Sequence, residues 1–174
     1  MPLPGMRGSD HIGFTVPDLD QAEHFLVEIL GAVPVYTLAG KRADDDFMSV
    51  QLGVHPRTEI TEIRFYRLGN GTNLEVFAYD SADGQASQPR NSDIGGHHLA
   101  LYVDDIDAAA DYLRAAGVEV MGRPVTSAGA SAGQRWLYFR SPWGMQFELV
   151  SFPDGKAYEA GAETLLWHPA RPAE

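Results

Sequence analysis

An internal duplication constrains this chain more than any other feature, because a repeat reports architecture before local propensity does. The stretch HIGFTVPDLDQAEHFLVEILG, opening at His11, returns as HLALYVDDIDAAADYLRAAG from His98. Val16 aligns with Val103, Asp18 with Asp105, Leu19 with Ile106 and Phe25 with Tyr112. Each copy also closes alike, since GTNLEVFAY around Glu75 recurs as GMQFELVSF around Glu148. Each half therefore opens on a strand with His at its first position and closes on a strand with Glu in an apolar frame.

Patterning within each copy predicts the same order of elements. Residues 11–16 alternate, with Ile12, Phe14 and Val16 on one face and His11, Gly13 and Thr15 on the other, which is strand periodicity. After Pro17 the apolar positions become Leu19, Ala22, Phe25, Leu26, Ile29 and Leu30, the stripe of a helix capped by Asp18 and ending at Gly31. Strands follow over 33–38, 60–68 and 72–79, the last two joined by Gly69-Asn70-Gly71. The second copy reads as strand 98–103, helix 106–116 and strands 118–126, 134–141 and 145–152. The expected fold is α+β, two βαβββ modules over 10–80 and 96–152. A connection rich in Ser, Asp, Gly and Gln fills 81–95, and a proline-bracketed arm fills 153–174.

The copies differ in length. His98 follows His11 by 87 positions but Glu148 follows Glu75 by 73, so the first copy holds 14 additional residues. The expectation places them in 41–59, with the acidic run Asp44, Asp45, Asp46 and the pair His55-Pro56. Such a segment suits a loop or short helix over a cleft, or a solvated surface excursion.

Strand alternation selects the candidate chemistry. His11 and His98 lie opposite the apolar faces of their strands, Glu75 opposes Leu74 and Val76, and Glu148 opposes Phe147 and Leu149. Four potential ligands thus occupy repeat-equivalent positions on the faces turned away from the helices, where an isolated buried Glu would be costly without a partner. His24, His55 and His168 break the pattern and read as solvent-facing, and His97 points opposite to His98. With no cysteine, a metal site must use His and carboxylate, which suits Ni, Co, Zn, Mn or Fe as divalent ions. Thirteen Lys and Arg against 24 Asp and Glu give a net charge of −11, which argues against nucleic acid or an anionic membrane as partner. No segment approaches the apolar length of a signal peptide or membrane span, so a soluble, cytoplasmic protein is expected.

The opening HIGFTVPDLDQAEHFLVEILG, the second opening HHLALYVDDIDAAADYL and the closing SPWGMQFELV resemble the vicinal oxygen chelate superfamily, over residues 10–152. That superfamily includes glyoxalase I, methylmalonyl-CoA epimerase, extradiol dioxygenases and fosfomycin- and bleomycin-resistance proteins. The resemblance implies paired βαβββ modules whose mixed sheets curl around a metal in a cup, in a homodimer. It places the metal ligands at His11, Glu75, His98 and Glu148. A Glu at the second place looks like glyoxalase I. The implied activity is that of a metal-dependent isomerase or lyase on a small molecule, acting through a metal-bound enediolate, with Glu148 or Glu75 as the base and Glu148 favoured. The alternatives are an Fe(II) ring-cleaving dioxygenase and a small-molecule or antibiotic-binding resistance protein. Tyr66, Tyr79, Tyr102, Arg64 and Arg135 are strand residues that could line the cup.

Overall fold

In the computed structural model, which describes residues 3–43 and 45–173, the same device starts the first helix of each half. Asp18 keeps an extended backbone and accepts the N–H groups of Asp20 and Gln21 at 2.9 and 3.0 Å. Asp105 does the same for Asp107 and Ala108, both at 3.0 Å. Each cap satisfies otherwise orphaned helix donors and is worth about 1 kcal/mol. Both helices are followed by glycine with positive φ, Gly31 at 74° and Gly117 at 76°, the left-handed residue that ends a helix.

Between cap and glycine the two helices differ. In the second half α3 spans Ile106–Ala115 as a regular α-helix. In the first, α1 covers only Leu19–Glu23 and continues as a π-helix over His24–Ile29, where Leu30 donates to the carbonyl of Phe25 at 3.1 Å. The cause lies in the repeat spacing. Phe25 and Tyr112 are 87 apart but Gly31 and Gly117 only 86, so the first helix holds one extra residue, and the wider turn absorbs it. Apolar residues still reach the core, with Ala22, Phe25 and Leu26 fully buried.

Strands β1 (His11–Thr15), β2 (Val33–Lys41), β3 (Glu59–Arg67) and β4 (Asn73–Asp80) form one mixed sheet in the order β1-β4-β3-β2. Strands β5 (His98–Tyr102), β6 (Glu119–Thr126), β7 (Arg135–Arg140) and β8 (Gln146–Ser151) form a second, β5-β8-β7-β6. In each the first strand runs parallel to the fourth and the other pairs are antiparallel. The fold is α+β, with paired βαβββ modules. Leu74, Val76 and Tyr66 are buried on the helix side of the first sheet, and Leu137, Phe139, Phe147 and Leu149 are buried in the second half. The chain divides into two compact units, Met1–Ala86 and Ser87–Glu174.

The insertion in the first unit is a structured element. Helix α2 (Phe47–Leu52) buries Met48 completely against Ile60 and Ile63 of β3, with Phe65, Phe77 and Tyr79 packed around them. Register pairs Ile60 with Tyr79, Ile63 with Phe77 and Phe65 with Glu75, so α2 sits on the same sheet face as Glu75. One of the 14 extra residues lies in the π-helix and not in 41–59, which corrects the expected location by that residue. Of the acidic run, Asp44 lies outside the described residues, and Asp45 accepts the N–H of Phe47 at 3.0 Å as α2 begins. Among the described residues, no helix is long and apolar enough to cross a membrane.

Candidate metal centre

In the first unit β1 and β4 bring His11 and Glu75 together. Their parallel register sets Gly13 beside Glu75, which leaves room for the carboxylate to lean toward the strand start; a Cβ at Gly13 would lie 3.6 Å from Glu75 Oε2. His11 Nε2 is 3.0 Å from Glu75 Oε2. The other ring nitrogen, Nδ1, is 2.8 Å from Asp10 Oδ2, which orients the imidazole and raises its pKa above the ordinary value of 6.5, with Glu75 adding to the effect. Phe65, opposite Glu75 on β3, meets the His11 ring edge-on at 6.3 Å.

The second unit repeats this arrangement. His98 Nε2 is 3.1 Å from Glu148 Oε2, and Tyr138, opposite Glu148 on β7, meets the His98 ring edge-on at 5.1 Å. The Asn91 amide lies 3.4 Å from His98 Nδ1. Glu148 is a buried charged residue at 9% exposure, and burial pushes its pKa up against the opposing pull of His98 and Lys156. Burial, then Glu148, also raises the Tyr138 phenol.

The donor set fits a divalent ion. Imidazole nitrogen and carboxylate oxygen ligands sit at roughly 2.0–2.2 Å from such a metal, so neighbouring ligands on one ion are about 3 Å apart. The two Nε2–Oε2 separations, 3.0 and 3.1 Å, match that spacing. Asp10 on Nδ1 of His11 is the kind of outer partner that fixes which nitrogen faces a metal. Each pair by itself is two ligands, and among the described residues no group of three or more His, Cys, Asp or Glu forms a metal-binding cluster within either unit.

The other sequence candidates divide between the two faces of the sheets. Arg64 and Tyr66 face the helix side and not the ligand face: Arg64 bonds Glu62, Glu23 at 3.0 Å and Asp20 at 2.8 Å, and the Tyr66 hydroxyl donates to Glu23 at 2.9 Å. Arg135 likewise reaches α3, gripping both carboxylate oxygens of Asp107 at 2.6 and 2.9 Å. Tyr79 and Tyr102 do lie on the ligand faces, since Tyr79 stacks on Phe77 and Tyr102 lines a cavity with Glu148. His97 is exposed and placed near the Gly95 carbonyl at 2.9 Å, and His24 is exposed. His55 is half-buried and its Nδ1 accepts the N–H of Arg57 at 3.1 Å. His168 is not solvent-facing as expected but lies edge-on to Tyr102 at 4.6 Å and Phe152 at 4.8 Å. Sequence reasoning missed Phe65 and Tyr138; they are 73 apart, as are the two glutamates, so the repeat carried the signal.

The family model of the Glyoxalase/Bleomycin resistance protein/Dioxygenase superfamily matches residues 10–139. The chain belongs to this superfamily. Over 169 residues it is 48% identical to a 2-epi-5-epi-valiolone epimerase from an Actinomyces species, covering 96% of this chain and 91% of the relative. Among solved structures, a glyoxalase family protein from Bacillus cereus superposes with a TM-score of 0.66 at 20% identity, covering 87% of this chain and 97% of that one. A fosfomycin resistance protein from Listeria monocytogenes, solved in complex with Mn(II) and sulfate, gives 0.56 at 21% identity, covering 89% and 98%. These two likenesses establish the shared fold. The epimerase relative agrees with the expectation of an isomerase-type enzyme.

Proposed function

We propose that this protein is an epimerase of a polyhydroxylated ketone, of the kind its Actinomyces relative is named for, and that His11, Glu75, His98 and Glu148 are ligands for a divalent metal. The observation that carries the reading is the twice-built pair of imidazole and carboxylate at metal-ligand spacing, in a chain 48% identical to an epimerase. A ketone numbered from its carbonyl has carbon 2 beside it, and the hydrogen there is the acidic one. Inversion at that carbon needs a proton taken from one face and returned to the other.

When bound, a divalent ion supplies Lewis-acid stabilisation of the negative charge that develops on oxygen as the proton leaves. The chain's own residues handle the proton. Glu148, once its carboxylate leaves the metal, is the base of choice because it lines the cavity of the second unit with Tyr102 and pairs with His98. Glu75, its repeat equivalent, is the other carboxylate available to the proton transfer. Asp10 keeps His11 oriented while these carboxylates work.

Four ligands of this type favour proton transfer over ring-cleaving oxygenation, which needs more open positions, and over simple sequestration. The enzyme acts on a small molecule as a homodimer, a reading supported by the exposed apolar residues Val33, Val35, Tyr36 and Leu38 of edge strand β2. The test is incubation of metal-loaded protein with 2-epi-5-epi-valiolone, followed by NMR. Appearance of the epimer, abolished by chelator and restored by metal, is the expected result; an unchanged ketone across all metals tried contradicts it.

A further inference from the structure

The arm beyond the second repeat has no counterpart in the first half, so what it does is added to the duplicated frame. It is built firmly into the second unit. The backbones of Gly133 and Gly155 meet so closely that a Cβ on Gly133 would come within 2.4 Å of the Gly155 carbonyl oxygen. Ala157 then donates its N–H to the Ala132 carbonyl at 2.9 Å, and a short 3-10 turn, Ala157–Gly161, starts the arm's course. From there it passes over the ligand face of the second sheet. A cavity of about 690 Å³ lies between Ala100, Tyr102 and Glu148 on the sheet and Tyr158, Trp167 and His168 on the arm.

The arm's polar groups are held in place by its own backbone. His168 Nδ1 accepts the N–H of Ala170 at 3.1 Å, which in a neutral imidazole leaves the proton on Nε2 as a donor. Edge-on packing against Tyr102 and Phe152 fixes the ring plane. The Tyr158 hydroxyl accepts the N–H of Leu166 at 2.9 Å, so its own hydrogen remains to be donated. The charged groups lining this cavity are two cations, Lys156 and Arg171, and three carboxylates, Glu148, Glu159 and Glu163. Among the side chains themselves, that balance gives no excess positive charge with which to hold a phosphate or carboxylate ligand away from the metal.

We propose that the arm is the specificity wall of the active site. It recognises the hydroxyl groups of a neutral polyhydroxylated ketone, with His168 Nε2–H as the principal donor and Tyr158 as a second. This rests on the epimerase reading above and names the residues that select its substrate. A hydrogen bond to a substrate hydroxyl placed on a rigid ring is worth a factor of roughly three to ten in affinity. His168 is then a binding residue, and its loss is felt in KM more than in kcat.

The experiment uses full-length, metal-loaded protein and 2-epi-5-epi-valiolone. His168→Phe keeps a ring between Tyr102 and Phe152 but lacks the donor; it is expected to raise KM about three- to tenfold while metal content is retained and kcat stays within about threefold. His168→Gln, with an amide donor of similar reach, is expected to recover most of that loss. A KM in His168→Phe equal to wild type overturns the wall. In the same assay a phosphate ester of the ketone is expected to compete no better than the ketone itself, and tighter binding of the ester overturns the neutral ligand class. No turnover in wild type refutes the epimerase reading, whereas turnover with an unaltered KM in His168→Phe refutes only the wall.

Discussion

Met48→Ala tests whether the insertion is part of the first unit's core. Met48 is fully buried, and truncation removes three heavy-atom positions from its contact with Ile60 and Ile63. Deleting a fully buried Met side chain to Ala costs roughly 2–5 kcal/mol, made of lost transfer energy and the cavity left behind. Val50, two residues on and 64% exposed, is the control, and Val50→Ala should change stability by no more than about 0.5 kcal/mol. All three tryptophans, Trp136, Trp143 and Trp167, are in the second unit, so their fluorescence does not report the first directly. The assay is therefore amide hydrogen exchange resolved by peptide. Protection in Glu59–Arg67 and Asn73–Asp80 is expected to fall by roughly 30-fold or more in Met48→Ala, since each 1.4 kcal/mol is a factor of ten. Because Phe65 and Phe77 flank Glu75 and pack around Met48, the variant should also weaken metal binding. Exchange in Met48→Ala indistinguishable from that in Val50→Ala would make the insertion a surface excursion.

Two further perturbations separate ligands from bystanders. His11→Ala or His98→Ala should abolish stoichiometric metal binding measured by elemental analysis, while His97→Ala should retain it; equal loss in all three would mean the ligand face is misassigned. Arg135 lowers the pKa of Asp107 below the ordinary 3.8, so their ion pair adds stability above that pH that is lost as pH falls through the depressed pKa. The Tm difference between wild type and Asp107→Asn should therefore hold steady from about pH 7 to 5 and shrink below about pH 4; a difference that widens toward acid contradicts the sign.

The duplication made much of this structure legible. Alternation in 11–16 put His11 opposite Phe14, and the Glu spacing identified its partner, because strand periodicity of two leaves no freedom once one face is apolar. Asp18 and Asp105 were readable as caps for a similarly local reason. What escaped depended on tertiary context. A helical stripe cannot distinguish α from π winding, although the change in offset from 87 to 86 held the clue to the extra residue. Arg64 and Arg135 sit on strands, but their faces follow from register with β4 and β8, which sequence alone left open. His168 was read as exposed because an arm without periodicity gives no sign of the face it covers.

On the proposed reading, these paired His and Glu residues support removal and return of a proton beside a ketone. The most direct measurement is turnover of the ketone in D₂O, with the product analysed by NMR and the rate compared with and without O₂. One deuterium at the inverted carbon, a full rate under strict anaerobiosis and loss of the exchange in Glu148→Gln are the expected results of proton transfer. Product formed without deuterium uptake, or turnover that consumes O₂ stoichiometrically, would contradict it.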